Sequence, residues 1–394
     1  MSYNWYDFTI FKLRRFIYYK CLNIIWHNLK FDKKKSSNLK VQKVLISTGG
    51  TGGHIIPAQI IKEYLDEDYE VYYSTDYRGK KYISSNTDRI IIIDTPQFNF
   101  NFYLPYKILK LVYLILKSFF ILKTKNFKKI ISIGGYMSLP IIISAKILNL
   151  PIFLIEPNLV LGRGNKFFLN FANKIFCYSY RLLNFPQKHL HKIELIKPLV
   201  PKIFYQLKKN QKKEDKFCFL IFGGSQGAKI FDNLFREIMI DISRNFSIKV
   251  VQQTSKDNIN NMKNFYDLHN IENIIFNFEK NFIDLISISD LCITRAGATS
   301  LAEISFLNKP FIAIPLPSSV DNHQMANAKY YEKKGCCWVF DQKNLNIEKV
   351  SNFIKDLLKD KKKMTEKKSN LQKLNYENKQ EHINQKLKKI LNEY

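Results

Sequence analysis

Short apolar runs alternate along the chain with longer amphipathic stretches, and each run has the length and β-rich composition of a buried strand. In the first half the runs are Val41–Ser47, Glu70–Thr75, Arg89–Asp94, Lys129–Gly134, Pro151–Glu156 and Lys174–Ser179. In the second half they are Lys216–Phe222, Ile248–Thr254, Asn273–Phe278, Asp290–Arg295 and Pro310–Pro315. Helical stretches separate most of these runs, and this alternation predicts parallel sheets of the α/β class.

One sequence pattern occurs twice: an apolar strand, a glycine turn and the start of a helix follow each other. It is found around STGGTGGHIIP (47–57) and again around GGSQGA (223–228). This order opens an α/β nucleotide-binding unit, so two copies predict two Rossmann-like domains. Prolines and then a charge run at Pro198–Asp215 mark the break between them. We therefore expect a basic arm (1–39), a first domain (40–200), a second domain (201–360) and a basic helical segment (361–394).

The formal net charge of +28 comes almost entirely from lysine, and together with the abundant asparagine and isoleucine it matches the drift of an AT-rich genome. The part that drift does not explain is expected to attract an anionic surface, either a membrane or a nucleic acid. No nucleic-acid-binding module accompanies the lysines, so nucleic acid is not an expected partner. The six cysteines show neither zinc-like nor disulfide-like spacing, and we expect reduced thiols. The most apolar stretch, 108–123, is interrupted by Lys110 and Lys117 and is too short to span a bilayer.

Candidate chemistry lies in the glycine loops, which include a third at GGYMSLP (134–140). Glycine lets backbone N–H groups approach a phosphate, and a following helix N-terminus favours negative charge. None of the loops carries the lysine of a P-loop, so phosphoryl transfer from ATP is not expected. Three such loops favour a diphosphate-binding cleft.

Four polar residues near these loops have side chains suited to a sugar nucleotide. His54 is the one histidine in a glycine loop, where it serves either as a general base or as a packed helix-cap residue. Glu303, in TRAGATSLAE (294–303), is placed to accept hydrogen bonds from two ribose hydroxyls or is simply solvated. Gln324 and Asn327 lie at i and i+3 on one helical face, either as sugar contacts or as surface residues.

An aromatic and apolar stretch at 97–120 has a helical stripe at Ile108, Leu111, Val112, Ile115 and Phe119. Helices that lie on a membrane have this pattern, as do helices buried against a sheet. We favour membrane contact because the aromatic run NFNFYLPY (99–106) precedes the stripe.

Six motifs occur in the order of one family: GGTGGHIIPA, GGYMSLP, IEPNLVLGRGNK, GGSQGA, TRAGATSLAE and DNHQMANA. With them, residues 41–359 resemble the bacterial UDP-N-acetylglucosamine transferases that act on undecaprenyl-diphospho-muramoyl-pentapeptide. The resemblance implies the GT-B arrangement, in which two Rossmann-like domains face each other across a cleft. It implies inverting transfer of GlcNAc from UDP-GlcNAc in peptidoglycan synthesis, with no cofactor or metal, at the cytoplasmic face of the bacterial membrane.

The resemblance also implies roles for individual residues. His54 would be the catalytic base, and Gly134, Gly135 and Tyr136 would form an acceptor loop. Residues implied to bind donor or substrate are Thr51, Gly52, Gly53, Asn158, Ser225, Gly297, Ala298, Thr299, Ser300, Leu301, Ala302, Glu303 and Gln324. Residues implied to touch the membrane are Phe102, Tyr103, Leu104, Ile108, Leu111 and Ile115. Two alternatives stay open, namely a processive diacylglycerol glycosyltransferase and a catalytically weak membrane-bound scaffold.

Overall fold

The protein is described from a computed structural model that covers residues 41–50, 52–83, 89–97, 103–207, 215–224, 229–279 and 281–394. Its first sheet has seven parallel strands in the order β3-β2-β1-β4-β5-β6-β7. They are β1 (Gln42–Ser47), β2 (Tyr69–Thr75), β3 (Ile90–Ile92), β4 (Phe127–Ser132), β5 (Ile152–Glu156), β6 (Lys174–Cys177) and β7 (Ile193–Leu195). The helices are α1 (Gly52–Leu65), α2 (Tyr77–Lys80), α3 (Leu104–Thr124), α4 (Leu139–Ile147) and α5 (Arg163–Phe168).

Both faces of this sheet are covered, as its strand sequences require. In β1, Val44 and Ile46 belong to one core cluster and Leu45 to the cluster on the opposite face. Successive strand residues point to opposite faces, so a strand with consecutive buried apolar residues such as Val44, Leu45 and Ile46 needs a layer on each side. The first of these layers contains α1, and the second contains α3 and α4.

The second sheet has six parallel strands in the order β10-β9-β8-β11-β12-β13. They are β8 (Phe217–Phe222), β9 (Ile248–Gln253), β10 (Glu272–Phe276), β11 (Leu291–Thr294), β12 (Phe311–Ala313) and β13 (Cys337–Val339). The helices that follow are α6 (Lys229–Ser243), α7 (Ile259–Leu268), α8 (Phe282–Ile288), α9 (Ala298–Phe306), α10 (His323–Lys333), α11 (Ile347–Lys359), α12 (Lys361–Asn375) and α13 (Gln380–Asn392). The α/β class with two parallel sheets is thus confirmed.

The basic C-terminal segment forms two helices that pack in different places. Leu371 of α12 is buried in the core of the second sheet. In contrast, α13 returns to the first sheet, where Ile383, Leu387, Ile390 and Leu391 join the core that contains α1. Each such burial contributes about 1.5–3 kcal/mol, so α13 is a structural part of the first domain.

Helix α3 presents an apolar face to solvent that differs from the stripe expected from the sequence. Its exposed apolar residues are Tyr106, Ile108, Leu109, Val112, Tyr113, Leu116 and Phe120, preceded by Tyr103. Leu104, Leu111 and Ile115 are half-buried instead, and the fully buried positions Leu114, Ser118 and Leu122 turn that side of the helix toward the sheet. Phe102 lies outside the described residues. No helix in the ranges described here is long and apolar enough to cross a membrane.

Candidate active site between the two sheets

The glycine loops lie at the points where the strand order of each sheet reverses. In the first sheet this point falls between β1 and β4, which lead into the loops at 48–50 and 134–135. In the second it falls between β8 and β11, which are followed by residues 223–224 and 295–297. Open α/β sheets bind ligands in the crevice at such a switch point, outside the carboxyl ends of the strands.

The two loops of the first sheet have backbone conformations that suit glycine. Gly50, Gly134 and Gly135 have φ angles of +83°, +97° and +82°. The loop at 134–135 is also packed closely, since a Cβ placed on Gly164 would lie 2.8 Å from the Gly135 nitrogen. Glycine is therefore required at both positions of this contact.

His54 lies in the first turn of α1, and its tautomer is fixed by the backbone. Its Nδ1 is 3.2 Å from the carbonyl oxygen of Ile133, which can only accept, so Nδ1 carries the proton and Nε2 keeps its lone pair. Burial lowers the pKa of His54; the Ile133 hydrogen bond opposes this, and the nearby His323 of α10 lowers it further. The imidazole is thus held as a neutral base near neutral pH.

A buried carboxylate, Glu156 at the end of β5, organises the chain beside this loop. It accepts hydrogen bonds from the backbone and side-chain nitrogens of Asn158 (both 3.1 Å), from Gly162 N (2.8 Å) and from Asn165 Nδ2 (3.0 Å). Burial raises the pKa of Glu156, while these donors act in the opposite sense. The network fixes the position of the Asn158 side chain.

Asn327, on α10, joins the two sheets across the cleft. Its Nδ2 donates to Asn158 Oδ1 and to the carbonyl of Ala296, both at 3.1 Å, and its Oδ1 accepts from Leu159 N at 2.9 Å. The sequence offered Asn327 as a sugar contact, but its amide is engaged here with both domains.

An ion pair spans the same gap nearer to solvent. The Arg163 guanidinium donates twice to the Asp321 carboxylate, at 2.7 and 3.1 Å. Both partners lie at the surface of the cleft, where an ion pair contributes little to the free energy of unfolding. The pair therefore serves mainly to orient the two domains relative to each other.

In the second sheet, the N-terminus of α9 faces the loop after β8. Gly297 caps the helix without a side-chain hydrogen bond, so the first N–H groups of α9 lack a side-chain cap. The Ser300 hydroxyl lies 3.6 Å from where a Cβ on Gly224 would be. Ala298 and Thr299 are half-buried at the same end, whereas Leu301 and Ala302 are buried in the core and present only backbone.

Glu303 is half-buried one turn further along α9, and its carboxylate has no hydrogen bond or ion pair within the described residues. Burial raises the pKa of Glu303 to about 8. A carboxyl group without partners in a cleft is suited to a ligand that supplies hydroxyl donors.

Gln324 supports the loop that precedes α9. Its Oε1 accepts from Ala296 N at 3.2 Å and from Leu316 N at 2.9 Å. Its Nε2 has no partner among the described residues.

Sequence reasoning did not find the connection between the two loops of the first sheet. Asp76 Oδ1, at the end of β2, accepts from Gly50 N and Gly79 N, and Arg78 donates to both Asp76 and the Tyr136 hydroxyl. Burial alone would raise the pKa of Asp76, but these donors hold that pKa below its ordinary value. A sharper reading of TDYRG after a strand, as a capped turn, would have pointed to this cluster.

The expected site residues at the start of α1 and after β8 are only partly within the described residues. Thr51 and Ser225 lie outside the described residues, whereas Gly52 is buried and Gly53 exposed at the start of α1. Within the described ranges, no three histidine, cysteine, aspartate or glutamate side chains are grouped as metal ligands.

Two parallel sheets that face each other across a cleft, with glycine loops at both switch points, define a nucleotide-sugar glycosyltransferase of the GT-B type. Comparison with protein families gives the glycosyltransferase family 28 N-terminal domain over residues 44–177 and the family's C-terminal domain over residues 218–387. The chain belongs to glycosyltransferase family 28.

Relatives are similar over nearly their whole length. The UDP-N-acetylglucosamine–N-acetylmuramyl-(pentapeptide) pyrophosphoryl-undecaprenol N-acetylglucosamine transferase of Pelagibacter ubique is 41% identical over 89% of this chain and 99% of its own. The enzyme of the same name from Rickettsia canadensis is 33% identical over 84% and 95%. Among solved structures, Acinetobacter baumannii MurG superposes with a TM-score of 0.68 at 20% identity, covering 84% of this chain and 94% of that one, and supports the fold.

Proposed function

We propose that this protein transfers GlcNAc from UDP-GlcNAc to the muramoyl 4-hydroxyl of undecaprenyl-diphospho-muramoyl-pentapeptide, the step from lipid I to lipid II in peptidoglycan synthesis. The observation that carries the proposal is that the two domains, which form the two walls of one cleft, present complementary groups. One wall presents the free Nε2 of His54, and the other presents the α9 N-terminus and the unpartnered Glu303 carboxylate. The names of the relatives supply the two substrates.

The chemistry is a single displacement with inversion at the anomeric carbon. His54 Nε2 takes the proton of the acceptor hydroxyl, whose oxygen bonds to the anomeric carbon as the bond to the UDP oxygen breaks. The departing diphosphate gains negative charge, which the first N–H groups of α9 and the hydroxyls of Thr299 and Ser300 stabilise. A positioned base contributes about 10²–10⁴-fold to such a step.

The second domain holds the donor in this proposal. Glu303 accepts hydrogen bonds from the two ribose hydroxyls, and residues 297–302 surround the diphosphate. Gln324 donates its free Nε2 to a GlcNAc hydroxyl. Asn158 reaches the sugar from the first domain, exchanging its hydrogen bond with Asn327 for one to the ligand.

The first domain receives the lipid-linked acceptor and docks on the membrane. The exposed apolar face of α3 supplies the contact, with Lys123 exposed at its end. Combined with the chain's positive charge, this face favours peripheral binding to anionic lipid at the cytoplasmic side of the cell membrane.

The reaction is tested by measuring UDP release and disaccharide formation with purified lipid acceptor. We expect His54→Ala to lower kcat by about 10²–10⁴-fold while UDP binding is retained. Near-normal turnover of this variant at saturating substrates would remove His54 from the role of base. Transfer to diacylglycerol but not to the muramoyl lipid would overturn the proposed acceptor.

Membrane docking is tested by vesicle co-sedimentation with the double variant Leu109→Glu/Leu116→Glu. We expect loss of binding to anionic vesicles, because both side chains are exposed on the apolar face of α3. Leu268→Glu is the matched control, since Leu268 is an exposed leucine on α7 of the second domain. Equal binding by the double variant and the control would place the contact elsewhere.

A further inference from the structure

Arg78 lies between the two glycine loops of the first sheet. β2, β1 and β4 are neighbours in the sheet, so the residues that follow them meet at one edge. Arg78 follows β2, and its Nη2 donates to the hydroxyl of Tyr136 in the loop after β4 at 2.7 Å. The same nitrogen is 4.0 Å from where a Cβ on Gly50, in the loop after β1, would be. The guanidinium therefore borders both loops.

The position of Arg78 is fixed by a buried carboxylate. Asp76 is 3% exposed, and its Oδ1 accepts from Gly50 N at 3.0 Å and from Gly79 N at 2.8 Å. Its Oδ2 accepts from Arg78 Nε at 2.9 Å. Gly79 is itself closely packed, because a Cβ there would lie 2.2 Å from Thr75 Oγ1. One carboxylate thus ties the first loop, the turn of α2 and the guanidinium together.

Most of the guanidinium remains available to a ligand. Arginine has five N–H donors, and Asp76 and Tyr136 engage two of them. The other three have no partner among the described residues, and the side chain is 51% exposed. Such a fork matches the oxygens of a phosphate in a bidentate manner.

We propose that Arg78 binds the diphosphate of the lipid-linked acceptor, with Asp76 and Tyr136 holding its guanidinium between the two glycine loops. The inference rests on the proposed function and adds a cation to a site whose loops offer only neutral N–H groups. Tyr136 is then a positioning residue, because it reaches the ligand through Arg78.

The test compares a muramoyl acceptor linked through a diphosphate with one linked through a monophosphate. For Arg78→Gln we expect kcat/KM to fall about 10- to 100-fold with the diphosphate acceptor and less than about 3-fold with the monophosphate acceptor. KM for UDP-GlcNAc should not change, because the donor is bound by the other domain. Arg89→Gln is the matched control: Arg89 is an exposed arginine of the first domain beside Glu70, at the start of β3 and away from the loops.

An equal loss of kcat/KM with the two acceptors would overturn the inference. An arginine that only holds the loops in shape would affect both acceptors alike. A wild-type enzyme that uses both acceptors equally well would overturn it too. Absence of transfer by the wild type to either acceptor would instead overturn the proposed function.

Two further variants keep the inference testable if Arg78→Gln does not fold. Arg78→Lys keeps the charge but not the fork, and should lose part of the preference for diphosphate. Tyr136→Phe keeps Arg78 and removes its hydroxyl partner, and should reduce the same preference by about 3- to 10-fold. An unchanged preference in both variants would refute the role.

Discussion

Glu303 lies on α9 of the second domain with its carboxyl group half-buried and without a partner among the described residues, and burial raises the pKa of this carboxyl group to about 8. The substitution Glu303→Gln keeps the shape of the side chain and removes its ionisation. The carboxyl group ionises more easily in the unfolded chain, where its pKa has the ordinary value of 4.5. Above that pH, the ionisable carboxyl group therefore lowers the free energy of unfolding. We therefore expect the variant to be more stable than the wild type at neutral pH, before any ligand is added.

The size of this stability difference follows from the rise in the pKa of Glu303 on folding. Below about pH 4 both states are protonated, and the two proteins should be equally stable on this account. Between pH 4.5 and 7 each pH unit adds about 1.4 kcal/mol to the difference in free energy of unfolding between the variant and the wild type. This gives an upper limit of about 3 kcal/mol at pH 7. Water in the open cleft screens part of this cost, so we expect about 1–2 kcal/mol. The difference stops growing above the folded-state pKa near 8.

The assay is urea unfolding of both proteins at pH 4, 5, 6, 7 and 8, with Glu366→Gln as the control on the exposed surface of α12. A second measurement, UDP binding, should weaken about 10- to 100-fold in Glu303→Gln, because glutamine offers one neutral acceptor where the ionised carboxylate offers two charged ones to the ribose hydroxyls. A stability difference that does not vary with pH would refute the reasoning about burial. Unchanged UDP affinity would refute the ribose contact.

Three further outcomes follow from contacts in the first domain and across the cleft. Gly164→Ala places a Cβ against the Gly135 nitrogen and should cost about 1–3 kcal/mol in urea unfolding; wild-type stability would show that the loop can move away. Asn327→Leu leaves the buried N–H of Leu159 without its acceptor and should cost about 1–3 kcal/mol by the same measurement, unless water takes its place. The acid limb of the kcat/KM profile should fall below pH 6.5, because burial lowers the pKa of His54 and keeps the base neutral; a limb above 6.5 would contradict this.

The strands next to the cleft could be predicted because each one lies in an apolar run that by itself indicates a buried strand. Val41–Ser47 and Lys216–Phe222 are largely apolar runs with a glycine pair shortly after each, and the structure has strands at Gln42–Ser47 and Phe217–Phe222. The edge strands Ile193–Leu195 and Cys337–Val339 were missed. Three residues give no periodicity, so a strand this short is found from the sequence only through the apolar run around it, as it was for Ile90–Ile92 and Phe311–Ala313.

Residues that act through distant partners could not be read from the chain. Asn327 contacts Asn158 and Leu159, which lie far away in sequence, and nothing local distinguishes it from a surface asparagine. On α3 the sequence does not show which apolar side faces the sheet. The helix is apolar around most of its circumference, so the packing of Leu114 and Leu122 decides its orientation.

The return of α13 to the first sheet affects how the chain folds during synthesis. The first domain leaves the ribosome early, but Ile383, Leu387, Ile390 and Leu391 complete its core only when the chain is almost finished. At about 5–20 residues per second, synthesis of residues 201–392 takes roughly 10–40 seconds. During that interval an apolar groove beside α1 stays open to chaperones or to other nascent chains. A fragment that ends after the first domain would keep that groove permanently, so the two halves are distinct in architecture but not in folding.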